Sequence, residues 1–255
     1  MKKFKRVLAL AMAVILSVPT IITTGTGTVP VKAAGDTVEL TVSSESAKYA
    51  GYETRKMYAG GNYAYCVQPS KKTPQSGTYE KHYDVENYVS NAGDETQAVQ
   101  SRNLAYYCWG APGFNASYFP STWYDGSAMD DDKYIALSHI MLSFLVSYDE
   151  VGSMHGCNSS FKNWVYQNVL GYNANGDLVN GQATLPILCW ATAPASFKVY
   201  ILSTGSATQN ILGYEYTPTG TVSLSKTSAN TGITSGNSCY SLAGAVYGIY
   251  SDAGC

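Results

Sequence analysis

Apolar and polar residues alternate from Thr37 to Ser43, with Val38, Leu40 and Val42 on one side of the chain, the period of a half-buried strand. Tyr49 to Tyr58 and Tyr63 to Val67 read as further strands, and Gly60-Gly61-Asn62 between them reads as a tight turn. Pro69 to Gly77 is a Lys/Ser/Pro loop. The period then changes. Asp94 is placed to cap a helix that runs to about Tyr107 and stops before Gly110. Asp130, Asp131 and Asp132 precede a second helix, Lys133 to Ser147, where acidic side chains complement the unpaired N–H groups of the first turn. This second helix is apolar almost all round, which predicts a central, buried position. Asn158 or Ser159 caps a third, Phe161 to Leu170, with Phe161, Trp164, Val165 and Val169 on one face. Ala195 to Ser203 and Ile211 to Tyr216 read as a closing pair of strands. Strands, then helices, then strands predict an α+β domain over residues 35–217.

The two ends read differently. Lys2, Lys3, Lys5 and Arg6 precede an apolar run from Val7 to Val18 that is too short to span a bilayer. With small residues and Val31-Lys32-Ala33 behind it, residues 1–34 read as a secretory signal peptide. At the other end, Thr217-Pro218-Thr219-Gly220 reads as a linker. Beyond it the strand Thr221 to Ser228 puts Val222, Leu224 and Lys226 on one face, and a second strand follows a Gly/Asn/Ser loop. Two strands do not bury a core. Residues 218–255 are therefore expected to open a second domain that continues past Cys255. A lysine in line with core residues is pushed toward its neutral form, because a buried cation is costly.

Composition removes several classes of function. A net charge of −2 leaves no nucleic-acid footprint. There is no P-loop, GxGxxG, HExxH or GxSxG pattern, so no cofactor is implied. The Asp130–Asp132 run lacks the spaced ligands and glycine of a calcium loop. His155-Gly-Cys157 stands alone rather than in a metal-binding set, and no CxxC occurs. The 22 tyrosines suit both an extracellular contact surface and a β-rich core. Six cysteines in a secreted chain invite disulfides, with fifteen pairings open and spacings too irregular to choose among them.

Two stretches carry family resemblances. Val222-Ser-Leu-Ser-Lys226 and, after the loop, Tyr240-Ser-Leu-Ala-Gly244-Ala245-Val-Tyr-Gly-Ile-Tyr250 resemble the Cna B-type (SpaA-like) pilin domain of Gram-positive surface proteins. That resemblance implies an all-β, prealbumin/Ig-like sandwich, with Lys226 joined by an isopeptide bond to an asparagine beyond residue 255. Tyr65-Cys66-Val67-Gln68-Pro69, the Tyr/Trp/Gly-rich stretch Tyr106 to Gly113 and the later apolar helix together resemble the thioester domain at the tips of Gram-positive adhesins. The likeness covers most of residues 48–216. In that family a cysteine condenses with a glutamine, ammonia leaves, and the thioester captures an amine of a host molecule.

Cys66 takes the cysteine position. The resemblance sets His139, in Leu137-Ser138-His139-Ile140, at the glutamine position, and histidine has no carboxamide to give. Three readings of Cys66 stay open. The domain is a non-covalent or structural tip; another glutamine serves, with Gln68, Gln97, Gln100 and Gln209 available; or Cys66 and His139 form the nucleophile–base pair of a cysteine peptidase or acyltransferase. Among the aromatic residues, Tyr65, Trp109 and Trp123 are the candidates for binding a ligand. The expectation is a secreted, wall-attached Gram-positive surface protein that works in adhesion or display rather than turnover. It would comprise an α+β thioester-type adhesin domain (35–217) and the first strands of a pilin domain (218–255). Its expected partners are a host surface protein or glycan and, in the full-length protein, sortase-linked cell wall or pilus subunits. It would bind no nucleic acid, and would meet the membrane only through the signal peptide during export.

Overall fold

A sheet must close on itself or leave edges of unpaired backbone groups, and here it closes. The computed structural model describes residues 36–173, 175–177 and 184–218, with 233 and 236 as isolated positions. The chain divides into two units after Thr217. The signal peptide, and Lys226 with the strands around it, lie outside the described residues.

Among the described residues the first unit holds six strands: β1 (Thr37–Tyr49), β2 (Tyr52–Ala59), β3 (Asn62–Cys66), β4 (Gly77–His82), β5 (Phe197–Leu202) and β6 (Ile211–Tyr216). They pair in the order β1-β2-β3-β6-β5-β4, and β4 returns to β1, giving a closed, wholly antiparallel barrel. Period-two alternation then sorts side chains to two cores. Leu40, Met57, Ala59, Ala64, Cys66 and Ile211 fill the interior with Tyr200 and Leu202. Tyr63, Tyr65 and Val67, one residue out of phase, point outward into the core shared with the helices.

The helices form between β4 and β5: α1 (Glu95–Tyr107), α2 (Asp131–Ser147), α3 (Glu150–Ser153), α4 (Ser159–Asn168) and α5 (Thr184–Leu188). The caps act as their positions predict. Asp94 accepts from Gln97 N at 3.0 Å, Asp130 from Lys133 N at 3.0 Å and Asn158 from Phe161 N at 2.8 Å. Residues Ile135 to Val146 of α2 are all buried. Its near-complete apolarity follows from packing on β1 and β3 as well as on α1 and α3.

Three features depart from the sequence expectations. β1 runs on to Tyr49 because a bulge between Val42 and Ser46 lets the pairing with β2 resume. β4 was not expected, since Gly-Thr-Tyr-Glu-Lys-His shows little apolar alternation; partners on both sides hold it. The short helices α3 and α5 were not anticipated either.

The barrel is narrow. Gly213 on β6 faces Tyr200 across the ladder, and a Cβ at Gly213 would lie 2.4 Å from the Tyr200 ring. Gly213→Ala is therefore expected to destabilise the domain by about 1–3 kcal/mol, read as a lower denaturant midpoint with an unchanged slope.

Candidate functional site

Cys66 is the last residue of β3, and its side chain turns into the end of the barrel, 4% exposed. Its Cα partner on β6 is Ile211. The pairing runs on past the strand ends: Val67 N donates to Asn210 O at 3.3 Å, and Asn210 N donates to Gln68 Oε1 at 3.2 Å. Gln209, two residues before Ile211, shares its face and is thus the diagonal neighbour of Cys66. Diagonal pairs on one sheet face lie within reach of long side chains. The Gln209 backbone is fixed from both sides, by N–H donation to Lys72 O at 3.0 Å and by acceptance from Thr204 Oγ1 at 2.7 Å.

The two side chains meet in a cavity of about 170 Å³. Thr54 Oγ1 lies 3.8 Å from Cys66 Sγ. Tyr49 and Tyr52, on either side of the β1–β2 turn, wall one side, and Pro69 and Lys71 from the loop after β3 wall another. That loop is clamped: Asp149 accepts from Ser70 N at 2.8 Å and from the Ser70 hydroxyl. Gly152 sits so close that a Cβ there would lie 2.5 Å from Ser70 N.

Burial dominates the electrostatics. It pushes the Cys66 thiol up to about 12, against hydrogen bonds from Thr54 and Gln209 that act the other way. The Gln209 carboxamide is itself buried, and its Oε1 has no hydrogen-bond partner. A buried, unpaired carbonyl oxygen costs about 1–3 kcal/mol. The site therefore holds a thiol and a destabilised amide side by side.

A family model described as a thioester domain matches residues 37–175. The chain belongs to the thioester-domain family. No curated protein and no solved structure matches it. Cys66 and His139 fall inside the matched residues and Gln209 beyond them.

In this thioester domain His139 does not stand where an acyl donor would. It is 1% exposed on α2, and its Nδ1 accepts from the Cys66 backbone N–H at 3.2 Å. A neutral imidazole that accepts at Nδ1 carries its proton on Nε2. Nε2 therefore donates to the Tyr63 hydroxyl, 3.2 Å away. Both ring nitrogens are occupied by β3, Nδ1 on the Cys66 backbone and Nε2 on the Tyr63 side chain. Burial lowers His139 to about 3 while it raises Cys66 to about 12, so a thiolate–imidazolium pair is disfavoured on both sides. The alternative reading of Cys66 and His139 as the dyad of a cysteine peptidase or acyltransferase has no support in this geometry.

The other candidates separate as clearly. Gln68 is used in extending the β3–β6 ladder, and Gln97 in joining α1 to α2 through Leu145 O at 2.5 Å. Gln100 is buried on α1 and does not line the cavity. Tyr65 is fully buried, with its hydroxyl on Trp109 O at 3.0 Å. Trp123 packs between Phe161 and Trp164. Both are core residues rather than ligand contacts. Trp109, half-buried against Tyr63, does not line the cavity. Cys108, Cys157 and Cys189, like Cys66, are buried thiols with no disulfide among them.

The neutral His139 fixes a pH dependence. An unfolded histidine takes its proton near 6.5, whereas this one waits until about 3. Between those values the unfolded chain binds more protons, so stability falls as pH drops through that window. His139→Gln, which can still accept from Cys66 N–H and donate to Tyr63, is expected to flatten this part of the profile in denaturant titrations across a pH series.

Proposed function

We propose that Cys66 and Gln209 form an intramolecular thioester, and that the domain uses it to attach covalently to an amine on a surface partner. The juxtaposition of the Cys66 thiol and the Gln209 carboxamide in one cavity carries this reading. In formation, Sγ bonds to the Gln209 side-chain carbonyl carbon, the C–N bond breaks, and the thiol proton leaves with nitrogen as ammonia. The exchange turns a buried amide oxygen that lacks a donor into the carbonyl oxygen of a thioester, a weaker acceptor that loses less by going unpaired, which offsets part of the cost of giving up amide resonance. Burial then shields the product from water, while the cavity admits a slender primary amine. Attack by that amine forms an amide at Gln209 and returns Cys66 as a thiol.

On this reading the glutamine is not lost from the site, and His139 holds the cysteine's backbone instead of replacing the acyl donor. The wider setting rests on the signal-peptide and pilin-like sequence patterns. They favour a secreted, wall-attached Gram-positive adhesin whose partner is a host surface protein or glycan bearing an amine, and whose stalk carries Lys226 for an isopeptide bond.

The intact protein, purified without reductant, is expected to weigh one ammonia less than its sequence requires, and to gain one methylamine when treated with it. Cys66→Ala and Gln209→Ala should each show the full sequence mass and no methylamine uptake. Full mass in the parent protein would refute the thioester.

A further inference from the structure

Two side chains hydrogen bond to the Cys66 sulfur, those of Thr54 and Gln209. Thioester chemistry consumes one of them. Once Gln209 has become the acyl group it no longer has an N–H to donate. Thr54 is then the side-chain hydroxyl left at the sulfur, 3.8 Å away in the described geometry. It is delivered by the β1–β2 hairpin, where Thr54 pairs with Ala47, and Tyr49 and Tyr52 flank a two-residue turn. The turn residues Ala50 and Gly51 both have positive φ, 46° and 88°. That backbone holds a tight primed turn, so the position of Thr54 is set by the hairpin rather than by a mobile loop.

The sulfur needs such a group at one step. As an amine adds to the acyl carbon and the C–S bond breaks, the electron pair goes to Sγ. That sulfur is buried, and burial disfavours a bare thiolate. We propose that Thr54 is a catalytic residue of the site: its hydroxyl donates to Cys66 Sγ as the C–S bond breaks and accepts from the thiol when the bond forms. The proton given up by the amine ends on sulfur, so the step is a transfer between nucleophiles with no net redox change. This inference rests on the Cys66–Gln209 thioester reading.

The test uses Thr54→Val, which keeps the shape and removes the hydroxyl, and Thr54→Ser, which keeps the hydroxyl. Methylamine uptake, followed by intact mass, should slow about 10- to 100-fold in Thr54→Val, as expected for the loss of one hydrogen bond to a developing charge, and stay near the parent rate in Thr54→Ser. A second series uses Gln209→Ala, in which Cys66 is a free thiol. Iodoacetamide should alkylate Cys66 more slowly when Thr54→Val is added, and at the Gln209→Ala rate when Thr54→Ser is added. A merely structural role gives the opposite sign, because a loosened hairpin exposes the thiol and speeds alkylation. Faster alkylation in the Thr54→Val series, or unchanged rates in both series, would overturn the role of Thr54 while leaving the thioester standing. A parent protein that has lost no ammonia would overturn the thioester itself, and the catalytic role with it.

Discussion

The pairing of β3 with β6 is the constraint on which the rest of this domain depends. It joins the N-terminal hairpins to the C-terminal strands and so closes the barrel. It also sets the register that puts Cys66 opposite Ile211 and diagonal to Gln209. A slip of one residue would turn one of the two side chains to the opposite face of the sheet. The ladder is extended past the strand ends by Val67, Gln68 and Asn210, where the chemistry would otherwise sit on frayed backbone. His139 secures the same strand from the helical side by taking up the Cys66 N–H.

Burial works in two directions at this site. It makes Cys66 a poor thiolate and His139 a poor base, which removes the usual means by which a cysteine becomes a nucleophile. It also leaves the Gln209 carbonyl oxygen without a donor, which weakens the amide relative to a less polar thioester. A buried acyl group in a small cavity is protected from hydrolysis and open to a narrow amine.

Much of the fold could be read from the sequence. The alternation that opens β1, the aromatic and apolar runs of β2, β3, β5 and β6, and the caps Asp94, Asp130 and Asn158 depend on neighbours close in the chain, so local patterns reveal them. β4 could not be read in this way, because its stability comes from β1 and β5 rather than from its own residues. The site was half legible. Cys66 showed itself through its aromatic and apolar flanks, and Gln209 was among several available glutamines. What singled out Gln209 was register between segments 142 residues apart, as in the Gln68–Asn210 contact, and that is a property of the closed barrel. His139 drew attention as a polar residue on an apolar helix. Its polarity signalled a buried partner, but only the fold shows that the partner is the backbone of Cys66.

The most direct measurement is the location of the trapped acyl group. After reaction with isotopically labelled methylamine, peptide mapping by tandem mass spectrometry should place the label on the side chain of Gln209 and find Cys66 newly open to alkylation. Label on Gln68, Gln97 or Gln100, or no label on any glutamine, would contradict the account.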